Sequence, residues 1–337
     1  MQLINRTPFA GAVFVDMNPQ GADTLVLALK ATYEFGGSDS VRLSPRQDPL
    51  VFHDLHAGEP GGSSLLYESD ANWGRQMTDV SLLAYAYPGR DGDRETDVAL
   101  RVGDLVKTAR VFGHRAWSTV LGIARMSAPQ PFERIPLTYE HAFGGTDASP
   151  QEPGQRESEP RNPVGKGLRA RKSRRSLESL PIPHVEDPEN LIDGVDARPA
   201  PVGFTPVAKA WTPRSGYAGT YDEAWQAARM PLLPQDFDPR FYTAASPGLS
   251  MPYAQGGEPL DLIHLTPSRR ERFALPRFDM QASFLVDAVP TPFEMRLDAI
   301  VVNAVTSRLQ LVWHGHHPIQ GLVDDVRWAM VEGGEVP

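Results

Sequence analysis

Residues 135–147, Ile-Pro-Leu-Thr-Tyr-Glu-His-Ala-Phe-Gly-Gly-Thr-Asp, constrain this chain more than any other stretch. Tyr139 and Phe143 are bulky anchors one helical turn apart, with Glu140 and His141 between them. Gly144-Gly145 then permits a backbone path with positive φ that other residues enter only with strain. Just beyond, Asp147 is placed to accept hydrogen bonds from the amides of a turn. A second tight segment, Asn162-Pro163-Val164-Gly165-Lys166-Gly167, joins one fixed φ to two permissive ones. Tyr139, Glu140, Phe143, Gly144, Gly145, Asp147, Asn162, Gly165 and Gly167 therefore read as a structural motif. It specifies a shape before it specifies a reaction.

The surrounding chain is patterned for strands. Leu25 to Phe35 alternates apolar and polar residues in its later half, as a half-buried strand does, and Gly36-Gly37-Ser38 ends it. Asp79 to Tyr87 is a second strand, closed by Pro88-Gly89. Val98–Val102 and Leu105–Phe112 flank Gly103-Asp104, a two-residue turn with glycine first, as a type II′ hairpin wants. Glu294–Val302 and Arg308–Trp313 form another hairpin across 303–307. The best helix is short, with Thr220 as N-cap and Pro231 as its stop. These patterns predict a mainly β fold, a sandwich-like or barrel-like core with long irregular connections and few short helices; α+β is the alternative.

Between Pro181 and Pro259 lie 13 of the 32 prolines, yet aromatic residues recur there, among them Phe204, Trp211, Tyr217, Trp225 and Phe237. A flexible linker is proline-rich and aromatic-poor. The segment therefore reads as an irregular but packed layer over the β core. The least structured stretch is expected at 149–179, where Lys166, Arg169, Arg171, Lys172, Arg174 and Arg175 form a basic run. Residues 1–337 are read as one domain, divisible into a β part (1–148), a polar and basic loop (149–180) and the aromatic layer with the C-terminal hairpin (181–337).

Composition excludes several function classes. Formal net charge is −9, which argues against nucleic acid or an anionic membrane as the main partner. With no cysteine, neither disulfides nor thiolate metal sites exist. Residues 1–6 lack the signature of a signal peptide, and no apolar run reaches the ~18 residues that span a bilayer. Cytoplasmic residence is the expectation.

Many short motifs, in order, resemble the bacterial domain-of-unknown-function family 2169. They are Lys30-Ala31-Thr32-Tyr33, Tyr67-Glu68-Ser69-Asp70, Thr78-Asp79-Val80 and Gly113-His114-Arg115-x-Trp117 upstream of the two glycine segments. Downstream come Trp211-x-Pro213-Arg214, Ala218-Gly219-Thr220-Tyr221-Asp222-x-x-Trp225, Pro231-Leu232-Leu233-Pro234-x-Asp236-Phe237 and Leu275-Pro276. The resemblance covers nearly the whole chain. It implies an adaptor, or chaperone, that loads a toxic effector onto the spike of a type VI secretion system; the residues themselves show no complete catalytic motif, so neither enzymatic activity nor a cofactor is expected. The basic run and the histidines near Trp313 are not part of the family pattern.

Other chemistries compete with plainer readings of the same residues. Gly165-Lys166-Gly167 fails the phosphate-loop pattern, since Pro160 stands where glycine is required and Gly167 where serine or threonine is. His314-Gly315-His316-His317 offers imidazoles on one strand face, but Pro318 follows at once and no acid lies within the cluster, so no metal is expected. His53-Asp54-Leu55-His56 is read the same way. Asp70, Asp79, Glu140, Asp147, Asp222 and Asp236 raise the alternative of a β-rich hydrolase with paired carboxylates, which needs two of them ~5–10 Å apart. The plainer reading has these acids capping turns and pairing with Arg115, Arg134 or Arg214. For an interaction protein, Trp211, Arg214, Tyr217 and Trp225 are the candidate partner contacts, because such residue types dominate binding hot spots. The plainer reading makes Trp211 and Trp225 core residues, so Arg214 and Tyr217 are the two expected to reach the surface.

Overall fold

The computed structural model describes residues 2–36, 41–286, 289–319 and 328–336. Gly37 and Ser38, expected to close the first strand, lie outside them. The chain is mainly β, as its patterning predicts. Among the described residues the large sheets have seven, five and four strands, and none closes into a barrel.

The strand Asp23–Glu34 organises the seven-stranded sheet. It is buried along almost its whole length, on both faces, rather than half-buried as the alternation implied. Leu25, Leu27, Leu29, Ala31 and Tyr33 enter the main hydrophobic core. The alternate residues Lys30 and Thr32 face the other way yet are also buried, because the irregular segment 44–76 covers them. Gln47 bonds the backbone of Thr32 from that layer, at 2.8 and 3.0 Å. Alternation thus marks two different buried environments here, one apolar and one polar.

Asp23–Glu34 lies between Ala10–Met17 and Arg308–Pro318, antiparallel to both. Next comes Arg296–Asn303, then Thr78–Leu83, which runs parallel to it. The hairpin made by Arg296–Asn303 and Arg308–Pro318 is longer than the pattern implied, because its second strand continues through the histidines to Pro318. In the five-stranded sheet, Glu95–Val102 pairs with Leu105–Phe112, with Val102 opposite Leu105. Gly103 takes φ +59, the left-handed first position of a type II′ turn. Leu100, Val102 and Val111 from this sheet meet Leu27 and Leu29 from the first, and Phe284 and Val331 from the four-stranded sheet, in one core. Face-to-face packing of this kind is sandwich-like.

The segment after Pro181 is irregular and packed, with Phe204 and Trp211 buried. Its helix is Glu223–Ala228, capped by Asp222 rather than Thr220. The Asp222 carboxylate accepts the Trp225 amide at 2.8 Å, whereas the Thr220 hydroxyl is taken by Asp236 at 2.7 Å. A smaller apolar cluster, separate from the main core, joins Trp117, Phe143, Leu168, Ile182 and Ile192. It ties the glycine segments to a hairpin of residues 116–126.

Candidate functional site

At the glycine hub, Tyr139–His141 makes one 3-10 turn, and Phe143–Gly144 then pairs in parallel with Lys166–Gly167. Gly144 and Gly145 adopt φ +152 and +95. A Cβ on Gly144 would sit 2.2 Å from the Asn162 carbonyl oxygen, and one on Gly145 2.5 Å from that of Gly165. Only hydrogen fits between these backbones. Asn162 clamps the turn by donating from Nδ2 to the carbonyls of Tyr139 and Phe143, at 2.8 and 2.9 Å.

The acids of the hub are engaged internally. Glu140 accepts from the Ser64 amide and hydroxyl at 2.7 and 2.6 Å, and Ser64 Oγ accepts the Tyr139 amide at 2.9 Å. Burial alone would raise the Glu140 carboxyl, but these donors hold it below its ordinary value. Asp147 is fully buried and accepts the amides of Ser149 and Ala170. Burial pushes its carboxyl up, yet the donors around it win and bring it down to about 2.

The scattered upstream and downstream motifs converge on a second place, a buried charged seam. Lys30 reaches Asp70 at 2.9 Å, and Tyr67 donates to the same carboxylate at 2.6 Å. Glu68 accepts from Arg75 at 2.5 Å and also pairs with Arg214. Arg75 bridges on to Asp79 at 3.1 Å, and Asp79 accepts the Ala244 amide at 2.7 Å. Three carboxylates (Glu68, Asp70, Asp79) thus face three cations (Lys30, Arg75, Arg214), all buried. Burial raises the Asp79 carboxyl against the pull of Arg75. Removing one member of such a set leaves an uncompensated charge in a dry interior.

Arg214 is therefore corrected: it is not a surface residue. Its remaining donors bond the carbonyls of Phe241 and Val207 at 2.7 and 2.9 Å. Trp211 is buried as well, edge-on to Tyr139. Arg115 pairs with Glu186 and Arg134 lies over the Tyr85 ring, so none of the three named arginines meets the six carboxylates assigned to them. Asp222 and Asp236 do cap local turns, through Trp225 and Thr220. Arg75, the hinge of the seam, was missed by the sequence reading.

Beside the seam opens a pocket of about 450 Å³, with Trp73, Arg75, Tyr242, Tyr253, Asp298 and His316 in its wall. Asp298, pushed up by burial, pairs with His314 at 2.9 Å across the hairpin. The other His314 nitrogen lies 2.7 Å from the Asp70 carbonyl. His314 thus has an acidic partner that its own cluster lacks, supplied by the neighbouring strand. His316 instead packs edge-on to Trp73. Among the described residues no three His, Asp or Glu side chains are gathered as for a metal ion. Asp79 is absent from the pocket wall, so the raised carboxyls of Asp79 and Asp298 do not face each other across it.

Tyr217 and Trp225 are half-buried. The Arg240 guanidinium lies 4.3 Å over the Tyr217 ring, and Trp225 donates to the Leu232 carbonyl at 2.8 Å while meeting Tyr221 edge-on. Tyr221 and Met230, on either side of the helix, are exposed. In the basic run Arg171, Lys172, Arg174 and Arg175 are exposed, around a chain anchored by buried Leu168 and Ala170.

A family model described as an uncharacterized protein conserved in bacteria (DUF2169) matches residues 20–314. No curated protein and no solved structure matches the chain.

Proposed function

From its membership of the DUF2169 family, to which this chain belongs, we propose that it is an interaction protein: a cytoplasmic adaptor or chaperone. It binds a type VI secretion effector and assists loading of that effector onto the spike complex, with neither nucleic acid nor membrane as partner. One observation supports this above the others. The motif carboxylates and arginines are consumed in holding a rigid scaffold, while exposed apolar and aromatic side chains project from its appendages. Recognition residues are commonly carried on irregular segments positioned by such a scaffold.

The aromatic appendage 217–236 is the proposed contact, through Tyr217 and Trp225. The test uses the purified protein and the purified effector encoded beside it. The pair is expected to associate in solution, and the adaptor to be left behind when the effector is secreted. Tyr217→Ala and Trp225→Ala, once shown to melt like the parent, should weaken the association. Unchanged binding by both folded variants removes this surface. No association, together with hydrolysis of a glycan or peptide, overturns the adaptor reading.

A further inference from the structure

The hairpin 116–126 carries a residue that the fold itself does not explain. Ala116–Val120 pairs with Ile123–Met126 so that Val120 faces Ile123 across the two-residue turn Leu121-Gly122. Both turn residues are left-handed, at φ +52 and +80, as in a type I′ turn. The first position of that turn favours asparagine, aspartate or glycine, and a bulky side chain enters it with strain. Leu121 is nevertheless 98% exposed, with Val120 at 51% and Ile123 at 60%. An apolar side chain that far into water gains no burial on folding.

The base of this hairpin is fixed. Trp117 is buried in the small apolar cluster with Phe143 and Leu168. Ala116 and Trp117 pair with Pro181 and Leu180, and the Thr119 amide donates to Glu178 at 2.8 Å. The segment 176–181 that makes these contacts follows directly on the basic run. Arg171, Lys172 and Arg174 are exposed and, among the described residues, have no carboxylate within ion-pair distance, while Arg175 comes no closer than 3.9 Å to Asp147. A chain of net charge −9 thus carries unpaired cations on the run that leads directly into the segment bracing this apolar-tipped hairpin.

We propose that this tip docks an acidic surface of the effector, with Leu121 entering an apolar slot and Arg171, Lys172 and Arg174 facing its carboxylates. The proposal rests on the adaptor reading and adds a second contact to it. Complementary charge favours encounter with such a partner. A lipid surface is the poorer occupant, since Val120, Leu121 and Ile123 on one short turn offer little apolar area for membrane anchoring.

Calorimetric titration with the purified co-encoded effector tests this. Leu121→Gly gives the turn the residue it prefers, so the variant should melt at or above the parent's temperature. Its affinity should fall by roughly tenfold, the loss of a buried contact of less than hot-spot size. Lys172→Glu combined with Arg174→Glu should also weaken binding and make it less sensitive to salt. If Leu121→Gly binds like the parent, the tip is not a contact, and the adaptor reading stands without it. A melting temperature lowered beyond the small cost of the added chain entropy would make the leucine structural and overturn the proposal. If the parent does not bind the effector, the adaptor reading and this proposal fall together. Leu121-dependent binding to phosphatidylserine–phosphatidylcholine vesicles in place of the effector would make the occupant a membrane, again overturning it.

Discussion

The seam around Glu68 and the hairpin tip at Leu121 use their side chains in opposite ways. In the seam, long charged residues are buried, paired and saturated with hydrogen bonds. At the tip, an apolar residue stands in water on a strained backbone. The seam gathers residues from four of the sequence motifs, while the tip lies outside every motif singled out. In the seam, motif residues build the scaffold; at the tip, departure from local preference marks a candidate surface. Arg214 shows why the distinction matters: by residue type it reads as a hot-spot residue, and by position it is a core ion.

The sharpest way to break the scaffold side of this comparison is at the hub. Gly145→Val places a Cβ where the Gly165 carbonyl oxygen is 2.5 Å away, on a backbone at φ +95. We expect a loss on the order of 4 kcal/mol or more and little folded protein in the soluble fraction. A soluble variant with a normal melt that merely loses its partner would show that the glycines serve binding.

Arg214→Ala comes next. It strips Glu68 of one partner in a buried setting, and about 3–5 kcal/mol of stability should disappear in urea titrations. A loss below about 1 kcal/mol would place Arg214 among exposed ion pairs and dissolve the contrast with the tip.

The strands were legible because their periodicity and turn residues are local. The hairpin at Gly103-Asp104 needed nothing from elsewhere in the chain. The seam was not legible as a whole: Arg75 pairs locally with Glu68 and Asp79, but Arg214–Glu68 joins residues 146 apart and Lys30–Asp70 residues 40 apart. Burial of the Lys30 face likewise depends on the distant segment 44–76. The helix cap was misplaced by two residues because Asp236 competes for Thr220. At the tip, Leu-Gly carries none of the asparagine or aspartate that signals a type I′ turn, so only the backbone geometry exposes it.

Acid should separate the regions more gently. Burial holds His141 neutral down to about 4, against an ordinary 6.5, with Lys166 and His184 adding to the effect. His184 is pushed down as well, chiefly by burial. Between those values the unfolded chain binds more protons than the folded one, so hub stability falls as pH drops from about 6.5 to about 4. Asp147, held down to about 2 from 3.8, adds a further loss below 3.8. Asp79 and Asp298, both raised by burial, oppose this: each is protonated more readily when folded, so its share favours the fold as pH falls from its raised value to the ordinary 3.8. Melting temperature against pH should therefore decline through the histidine window. His141→Gln should flatten that decline, and an unchanged slope would remove the hub histidines from the account.

The smallest effect concerns the tip alone. Leu121→Gly exchanges left-handed strain for added chain entropy, so stability should change by about 0–1 kcal/mol, upward if at all.

Hydrogen exchange with and without the purified effector tests the division between scaffold and surface most directly. Binding should protect amides in 116–126 and 217–236 and leave 67–79 and 139–147 as they were. Protection centred on 72–76, 294–298 and 314–316, with none at 116–126, would put the partner in the pocket beside the seam and contradict the account.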